Sequence, residues 1–151
     1  MRIEKAAIKD TETVKEITQT TIREVYPHYY PEGAVDFFSR HHSDEKIAAD
    51  IEQGRVYLLF DGEAAAGTVT VAENEINRLF VLPQYQGKGH GRALMDLAEE
   101  IIAKDFDEIK LDASLPAKAI YQKRGFKEIN YNIVSTDNGD FLCYDEMIKK
   151  L

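Results

Sequence analysis

Alternation of apolar and polar positions is the first regular feature of the chain, and it predicts β-strands in seven places. A second pattern, in which apolar residues return every three or four positions, predicts helices between them. The predicted strands cover residues 2–8, 55–60, 64–72, 76–81, 108–113, 126–134 and 141–147. The predicted helices cover residues 10–26, 43–51, 92–104 and 117–124, with a further short helix near residue 34.

The order of these elements, βααβββαβαββ, predicts a mixed α/β fold. Helices alternate with strands in the middle of the chain, whereas hairpins are expected at both ends. Asp61-Gly62 and Asn138-Gly139 are both typical of two-residue hairpin turns. We therefore expect a mostly antiparallel central sheet flanked by helices, built as one domain over residues 1–151.

The most informative segment is the strand–turn–helix at residues 75–95. Pro83 ends the strand because it cannot donate a backbone hydrogen bond, and an amphipathic stretch begins at Arg92. Between them stands Gln86-Gly87-Lys88-Gly89-His90-Gly91. Glycines let successive backbone N–H groups turn toward one ligand, and the N-terminus of a helix adds partial positive charge. The segment therefore predicts a site for a phosphate-bearing ligand, the alternative being a glycine-rich turn without one.

The spacing of the glycines excludes two common phosphate motifs. A Walker loop would need Gly at position 82, which holds Leu82, and Ser or Thr after Lys88, which is followed by Gly89 and His90. A dinucleotide fingerprint would need a third glycine at position 92 or 94, and these positions hold Arg92 and Leu94. The phosphate ligand is therefore of another kind.

Composition narrows the class of protein further. The formal charge of −8 at pH 7 argues against non-specific binding to nucleic acid; it is compatible with a cationic substrate, and equally with solubility alone. The single cysteine excludes an internal disulfide, and no cluster of Asp, Glu and His residues has metal-ligand spacing, so we expect no metal. No apolar run reaches the ~20 residues of a membrane span. Residues 1–10 also lack the apolar core of a signal peptide. We therefore expect a cytoplasmic protein without a membrane partner.

Two motifs together resemble those of one family. Gln86-x-x-Gly89-x-Gly91 fits the pattern Q/R-x-x-G-x-G/A of the GCN5-related N-acetyltransferases, the GNAT family. Further on, the family usually reads N-x-x-A-x-x-x-Y-x-x-x-G-F, and four positions match it: Ala117, Tyr121, Gly125 and Phe126. Ser114 replaces the usual Asn. The resemblance covers nearly the whole chain, and it implies the GNAT fold and an acetyl-CoA-dependent transfer of an acetyl group to an amine.

The resemblance also implies a set of residues that bind acetyl-CoA. The pantetheine arm is expected to bond like an added strand to the backbone near Leu79 and Val81, and the pyrophosphate to the N–H groups of the glycine turn. Ser114 stands at the position that holds the pantetheine, and as the shorter side chain it reaches less far than Asn. The full set is Leu79, Phe80, Val81, Gln86, Gly87, Lys88, Gly89, His90, Gly91, Arg92, Ser114, Ala117 and Tyr121. For His90 we expect that only the backbone matters.

Two residues are candidates for proton transfer. Tyr121 holds the position of the family's general acid, which protonates the thiolate of CoA. The alternative is that it only packs in the apolar core, as a tyrosine on a helix ordinarily does. Glu75 is the candidate base, because histone-type members of the family carry a glutamate on this strand. The alternative is that Glu75 is only an exposed acid at the start of a strand and that a water relay is the base. Period-two alternation predicts that Glu75, Asn77, Leu79 and Val81 share one face of the strand.

The sequence leaves the acceptor and one competing function open. The family acetylates small amines, polyamines, amino acids and protein amines, and the acidic composition weakly favours a cationic amine. The Tyr- and His-rich residues 26–42 and the late hairpin at residues 131–140 are expected to form the acceptor wall. Homodimers are frequent in the family. The competing function is a catalytically silent sensor that binds an acyl-CoA without turnover.

Overall fold

The computed structural model describes residues 1–151 and contains one seven-stranded sheet with helices on both faces. The strands are β1 (Arg2–Lys5), β2 (Val56–Asp61), β3 (Ala64–Ala72), β4 (Glu75–Val81), β5 (Glu108–Ala113), β6 (Lys127–Ser135) and β7 (Phe141–Lys150). The helices are α1 (Thr11–Val25), α2 (Glu32–His41), α3 (Asp44–Glu52), α4 (His90–Ala103) and α5 (Lys118–Lys123). The predicted order of elements is confirmed, and α2 is the short helix expected near residue 34. None of the helices is both long enough and apolar enough to cross a bilayer.

The strand order across the sheet is β1-β2-β3-β4-β5-β7-β6. Every neighbouring pair is antiparallel except β4 and β5, which are parallel. The predicted mixed, mostly antiparallel sheet is therefore confirmed. The parallel pair arises because α4 connects β4 to β5, and such a crossover returns the chain in the same direction.

β4 and β5 are paired at only one point. Glu75 is in register with Lys110, and the Lys110 N–H donates to the carbonyl of Asn74 at 2.9 Å. Beyond this point the two strands diverge, while β3 continues to pair with the other edge of β4 as far as Val81. The sheet thus contains an opening between the C-terminal halves of β4 and β5, which we call the β4–β5 gap.

A bulge in β4 changes which side chains share a face. Arg78 has a φ of 46°, and the register with β3 shifts between Thr68 and Thr70. An extra residue in one strand interrupts the alternation of its side chains. As a result Ile76, Leu79 and Val81 all contact the same apolar cluster. The prediction that Glu75, Asn77, Leu79 and Val81 share one face is therefore wrong, because it assumed an uninterrupted period of two.

The two faces of the sheet carry separate apolar clusters. One lies beneath α4 and α5 and the other beneath α1, α2 and α3. The amphipathic pattern of α4 explains the first cluster, because Leu94, Met95, Ala98 and Ile102 return at helical spacing and are all buried. Burial of such side chains stabilises the fold by roughly 1.5–3 kcal/mol each. The sheet is therefore held from both sides, except along the gap.

Several predicted boundaries need correction. β1 ends at Lys5 rather than residue 8, because a 3-10 turn at Ile8–Asp10 follows, in which the Asp10 carboxylate accepts a hydrogen bond from the Ala7 N–H at 2.8 Å. β7 continues to Lys150, beyond the expected residue 147. The expected two-residue turn at Asn138-Gly139 is instead a longer loop over residues 136–140, closed by a bond from Thr136 N–H to the Asp140 carbonyl.

The bulge also turns the Arg78 side chain into the layer between β4 and α3. Its guanidinium pairs with the Asp50 carboxylate, and only 6% of the Arg78 side chain and 21% of the Asp50 side chain are exposed. Burial lowers the pKa of Arg78 to about 10, so the group remains charged at neutral pH. A buried cation depends on its partner, and Asp50 therefore fixes the conformation of β4 at the bulge.

This pairing gives a first prediction. We expect Asp50→Asn to lower the free energy of unfolding by about 2 kcal/mol, because it leaves the Arg78 charge buried without a counter-ion. The control is Glu52→Gln, which removes an exposed carboxylate from the same helix and should change stability little. Denaturant unfolding of the three proteins measures the difference. Equal stability of the two variants would show that the pair does not hold the bulge.

Candidate active site

The β4–β5 gap exposes backbone hydrogen-bonding groups of β4. The Leu82 N–H donates to the Ala66 carbonyl of β3 at 2.9 Å. In an antiparallel ladder consecutive residues direct these groups to opposite sides, so the Val81 N–H points away from β3 and toward the gap. The carbonyl of Val81 accepts a bond from the Gln86 side chain at 2.9 Å. The Val81 N–H is therefore a backbone donor at the edge of the gap, where β5 has already diverged.

The glycine turn follows this strand after a 3-10 turn at Pro83–Tyr85 and leads into the N-terminus of α4. Gly87 and Gly89 have φ values of 75° and 87°, which only glycine adopts without strain. A Cβ added at either position would meet no atom within 4 Å, so the space above both residues is open. Open space, free N–H groups and a helix N-terminus suit a pyrophosphate, and the turn therefore fits the phosphates of acetyl-CoA.

His90, the first residue of α4, has a structural role that the sequence did not indicate. Its side chain is 4% exposed, and Nε2 lies 3.0 Å from the Oδ2 of Asp61, which is 29 residues earlier at the end of β2. The side chain therefore points into the protein while the backbone remains in the turn. The Asp61–His90 bond joins the start of α4 to the β2–β3 hairpin and so fixes the orientation of the N–H groups of the glycine turn.

A cavity of about 220 Å³ adjoins the gap, and we call it the central cavity. Residues of α2, β4, β5, α5 and β7 line it, and eleven of its seventeen lining residues are apolar. Tyr121 and Ser114, two of the sequence-predicted residues, lie in its wall. A second, more open hollow of about 380 Å³ between α2 and the β6–β7 loop shares no residue with it and has no apolar lining residue.

Tyr121 is 6% exposed, and its ring packs edge-on against Phe126 with ring centroids 5.8 Å apart. No protein group forms a hydrogen bond with its hydroxyl. Burial, and to a smaller extent Tyr26, raise the pKa of Tyr121 above its ordinary value. The hydroxyl is therefore protonated at neutral pH, and Tyr121 lies in the wall of the central cavity.

Two tyrosines position the loop that carries Ser114. The Tyr30 hydroxyl accepts a bond from the Leu115 N–H at 2.7 Å and lies 3.3 Å from the Cys143 carbonyl. Burial raises the pKa of Tyr26, and a hydrogen bond with Ser114 opposes that rise. Tyr26 and Ser114 both line the central cavity. The Tyr- and His-rich stretch of residues 26–42 lines the cavity through Tyr26, Phe37, Phe38, His41 and His42, but His28 is not among the lining residues.

Glu75 does not line the central cavity, although the next residue, Ile76, does. It stands at the start of β4, beside Lys110 and at the closed end of the gap. Burial is the main cause that raises the pKa of Glu75, and the Asp112 carboxylate raises it further. Asp112 itself lines the cavity and was missed in the sequence, where it is one more polar position in an alternating strand.

The remaining sequence-predicted residues divide by exposure. Gln86, Lys88 and Arg92 are exposed around the turn, and the Lys88 ammonium lies 5.5 Å from the centre of the Tyr85 ring. Phe80 is buried against the layer of α1 and α2, so only its backbone is near the gap. Ala117 lies in the wall of the central cavity. In addition, no group of three or more His, Cys, Asp or Glu side chains is arranged to hold a metal ion.

Comparison with known proteins agrees with this geometry. A model of the acetyltransferase (GNAT) domain matches residues 25–144. The chain belongs to the GNAT family. It is accordingly an acetyl-CoA-dependent acetyltransferase, as the two motifs predicted.

Individual relatives span nearly the whole chain. A spermidine N(1)-acetyltransferase of Thermoplasma acidophilum is 28% identical, over 94% of this chain and 94% of its own. The structure of a PaiA N-acetyltransferase from the same organism, in complex with coenzyme A, has a TM-score of 0.73 at 26% identity and covers 99% of this chain and 98% of its own. A GCN5-related N-acetyltransferase from Rhodopseudomonas palustris has a TM-score of 0.90 at 23% identity, with 99% and 95% covered, and that likeness concerns the fold alone.

The Asp61–His90 bond gives a second prediction for this acetyltransferase. We expect Asp61→Ala to raise the KM for acetyl-CoA by about fivefold with little change in kcat, because loss of one hydrogen bond loosens the turn without touching the reacting atoms. Asp61→Asn keeps an acceptor oxygen and should restore most of the affinity. Glu63→Ala, on the same hairpin and exposed, is the control. Calorimetric titration with CoA measures the binding directly. An unchanged affinity for CoA in Asp61→Ala would contradict the proposed role of the Asp61–His90 bond.

Proposed function

We propose that this GNAT protein transfers the acetyl group of acetyl-CoA to a primary amine by direct attack in a ternary complex. One observation carries the proposal: the central cavity, whose wall contains Leu79, Ser114 and Tyr121, adjoins the gap at which the Val81 N–H has no strand to pair with. Acetyl-CoA supplies the acetyl group as an activated thioester. The Val81 N–H is a fixed donor for the oxyanion that forms when the carbonyl is attacked, and a fixed donor in a dry site stabilises that charge strongly.

The backbone of Leu79 and Val81, the turn at residues 86–92, Ser114 and Ala117 form the proposed acetyl-CoA site. Exposed Gln86, Lys88 and Arg92 lie around the phosphate end, where the two cations can meet phosphate oxygens. Lys118 and Lys123 are less suited to this task. Lys118 pairs with both Glu128 and Asp145 at 3.0 Å and is therefore already neutralised.

Tyr121 is the proposed general acid. Its hydroxyl donates a proton to the sulfur of the leaving CoA. Without this proton the CoA would leave as a thiolate beside apolar side chains. A thiol has an ordinary pKa of about 8.5 and a tyrosine one of about 10, so this transfer is uphill in water. Burial raises the pKa of Tyr121, and the same burial disfavours a thiolate beside it, so the two rises offset each other.

The acceptor amine must lose a proton before it attacks. An alkylamine with an ordinary pKa near 10.4 is only about a thousandth neutral at pH 7.5, which corresponds to roughly 4 kcal/mol. We assign the removal of this proton to Glu75 or to a water relay. Glu75 lies beside the central cavity rather than in its wall. A water molecule hydrogen-bonded to the Glu75 carboxylate would therefore carry the proton from the amine to Glu75. Its raised pKa brings its proton affinity closer to that of the amine.

The acceptor enters from the side of α2. His41 and His42 form this wall with Phe37 and Phe38, and burial is the main cause that lowers the pKa of His42 to about 3. His42 is therefore neutral and does not repel a cationic amine. The relative named as a spermidine acetyltransferase acts on such an amine, and its likeness over nearly the whole chain supports a primary amine acceptor here.

Tyr121→Phe tests the acid. We expect kcat to fall by about 10²–10⁴-fold while the affinity for CoA stays within twofold, because the ring and its packing remain and only the proton donor is lost. The measurement is single-turnover release of CoA thiol with a saturating amine. Tyr131→Phe, an exposed tyrosine of β6, is the control. Full single-turnover activity in Tyr121→Phe would remove the residue from the mechanism.

Glu75→Gln tests the base. A carboxylate acts as a base only when deprotonated, so activity should fall as the pH drops through its pKa, which lies above the ordinary carboxyl value. We expect kcat/KM of the wild type to show this acidic limb and Glu75→Gln to lose it, with an activity about a hundredfold lower on the plateau. Glu73→Gln removes an exposed neighbouring acid and should keep the profile. A profile of Glu75→Gln that matches the wild type would assign the base to a water relay alone.

A further inference from the structure

Three basic residues line one side of the central cavity. Arg78 comes from the bulge of β4, and His41 and His42 stand at the end of α2. The two imidazole rings lie 5.1 Å apart, and the His42 ring packs edge-on against Phe80 at 5.7 Å. Burial is the main cause that lowers the pKa of each histidine, and the charges of Lys46 and Arg78 lower both further. Because such an effect fades with distance, the Arg78 guanidinium lies close to both rings.

Asp50 leaves this group of cations with a net positive charge. Its carboxylate pairs with Arg78 through one oxygen, and its other oxygen lies 3.5 Å from Nη1 of Arg55, so one carboxylate faces two guanidinium groups. Lys46 of α3 adds a further positive charge near the two histidines. The only carboxylate in the cavity lining is Asp112, which belongs to β5, across the gap from β4. The α2 side of the cavity therefore has an excess of positive charge.

Two nitrogen atoms on this side are buried without a hydrogen-bond partner, Nε of Arg78 and Nδ1 of His42. The Arg78 side chain is only 6% exposed, so solvent does not supply the missing bond. Buried polar groups in folded proteins nearly always have a partner, and an unpartnered one beside a cavity indicates a ligand that completes its bonding. A guanidinium carries donors only. The ligand group at this position must therefore supply acceptor oxygens.

We propose that Arg78 and His42 bind a carboxylate of the acceptor, so that the substrate is an aliphatic amino acid whose amine is acetylated. This inference rests on the proposed function and names its acceptor. A carboxylate supplies the missing acceptor oxygens and offsets the excess positive charge. Phe37 and Phe38 lie in the same lining and offer apolar surface to the carbon chain between the two groups. An amine whose far end is neutral leaves the cations unsatisfied, and a second ammonium group is repelled by them.

The first test compares amines that have the same carbon chain and differ only at the far end. Thiol release is measured with 4-aminobutanoate, 4-aminobutanamide and 1,4-diaminobutane, and kcat/KM is corrected for the fraction of neutral amine. We expect the value for the carboxylate to exceed that for the amide by about tenfold or more, and the diamine to be the poorest of the three. Glycine and 6-aminohexanoate, each beside its own amide, cover shorter and longer distances between the two groups. Carboxylates that are no better than their amides at every length would overturn the inference.

Variants locate the carboxylate site. Because Arg78 also holds the bulge, its loss lowers activity with every acceptor, and the informative quantity is the ratio of kcat/KM for 4-aminobutanoate to that for 4-aminobutanamide. We expect Arg78→Gln to lower this ratio about tenfold, and His42→Asn, which leaves the Arg78–Asp50 pair intact, to lower it about threefold. Arg40→Gln is the control with the same loss of charge, because Arg40 is an exposed residue of α2 that pairs with Asp137 and lines the other hollow. Ratios that stay at the wild-type value in both cavity variants would contradict the proposed site.

A binding measurement separates this inference from the proposed function. Calorimetry records the affinities of 4-aminobutanoate and 4-aminobutanamide for the CoA-bound protein, which need no turnover. Tighter binding of the carboxylate that is lost in Arg78→Gln, without turnover of any amine, would keep the carboxylate site and overturn the proposed acetyl transfer. Equal turnover of all three amines with equal affinities would keep the transfer and overturn the carboxylate site. Neither binding nor turnover of any acceptor would overturn both.

Discussion

The active site depends on two parallel strands that are joined at one residue pair and then diverge. An N–H group without a partner costs free energy once it is removed from water, so neighbouring strands close such openings whenever they can. Here they cannot, because β3 holds the other edge of β4 and β7 pairs with β5 over its whole length. The Val81 N–H is therefore fixed in position before any ligand arrives, and a ligand amide can complete the sheet as a strand would.

The rest of the structure supports that opening from different sides. The Asp61–His90 bond fixes the glycine turn at one end, and the buried Arg78–Asp50 pair fixes the bulge that precedes Val81. The bulge brings Leu79 onto the apolar cluster beneath α4. On the central cavity, a neutral His42 and the Asp112 carboxylate lie in the same lining.

The sequence predicted what depends on local pattern and short spacing. The order of elements, the glycine turn and the position of Tyr121 follow from periodicity and from motifs in which each residue has its own conformational reason, such as the positive φ of Gly87 and Gly89. The sequence did not predict the bulge at Arg78, because the ion pair that stabilises it joins Arg78 to Asp50, 28 residues away. The Asp61–His90 bond was missed for the same reason. Both pairs depend on contacts between distant segments, which periodicity does not record.

The central claim is that acetyl-CoA completes the sheet at the β4–β5 gap. Hydrogen exchange of the backbone amides, with and without CoA, tests it most directly because it reports the N–H groups themselves. The account predicts that CoA slows exchange at Val81 and across residues 86–92, and changes the buried amides of β2 and β3 little. CoA that binds but leaves exchange at these residues unchanged, or protects a different segment instead, would contradict it.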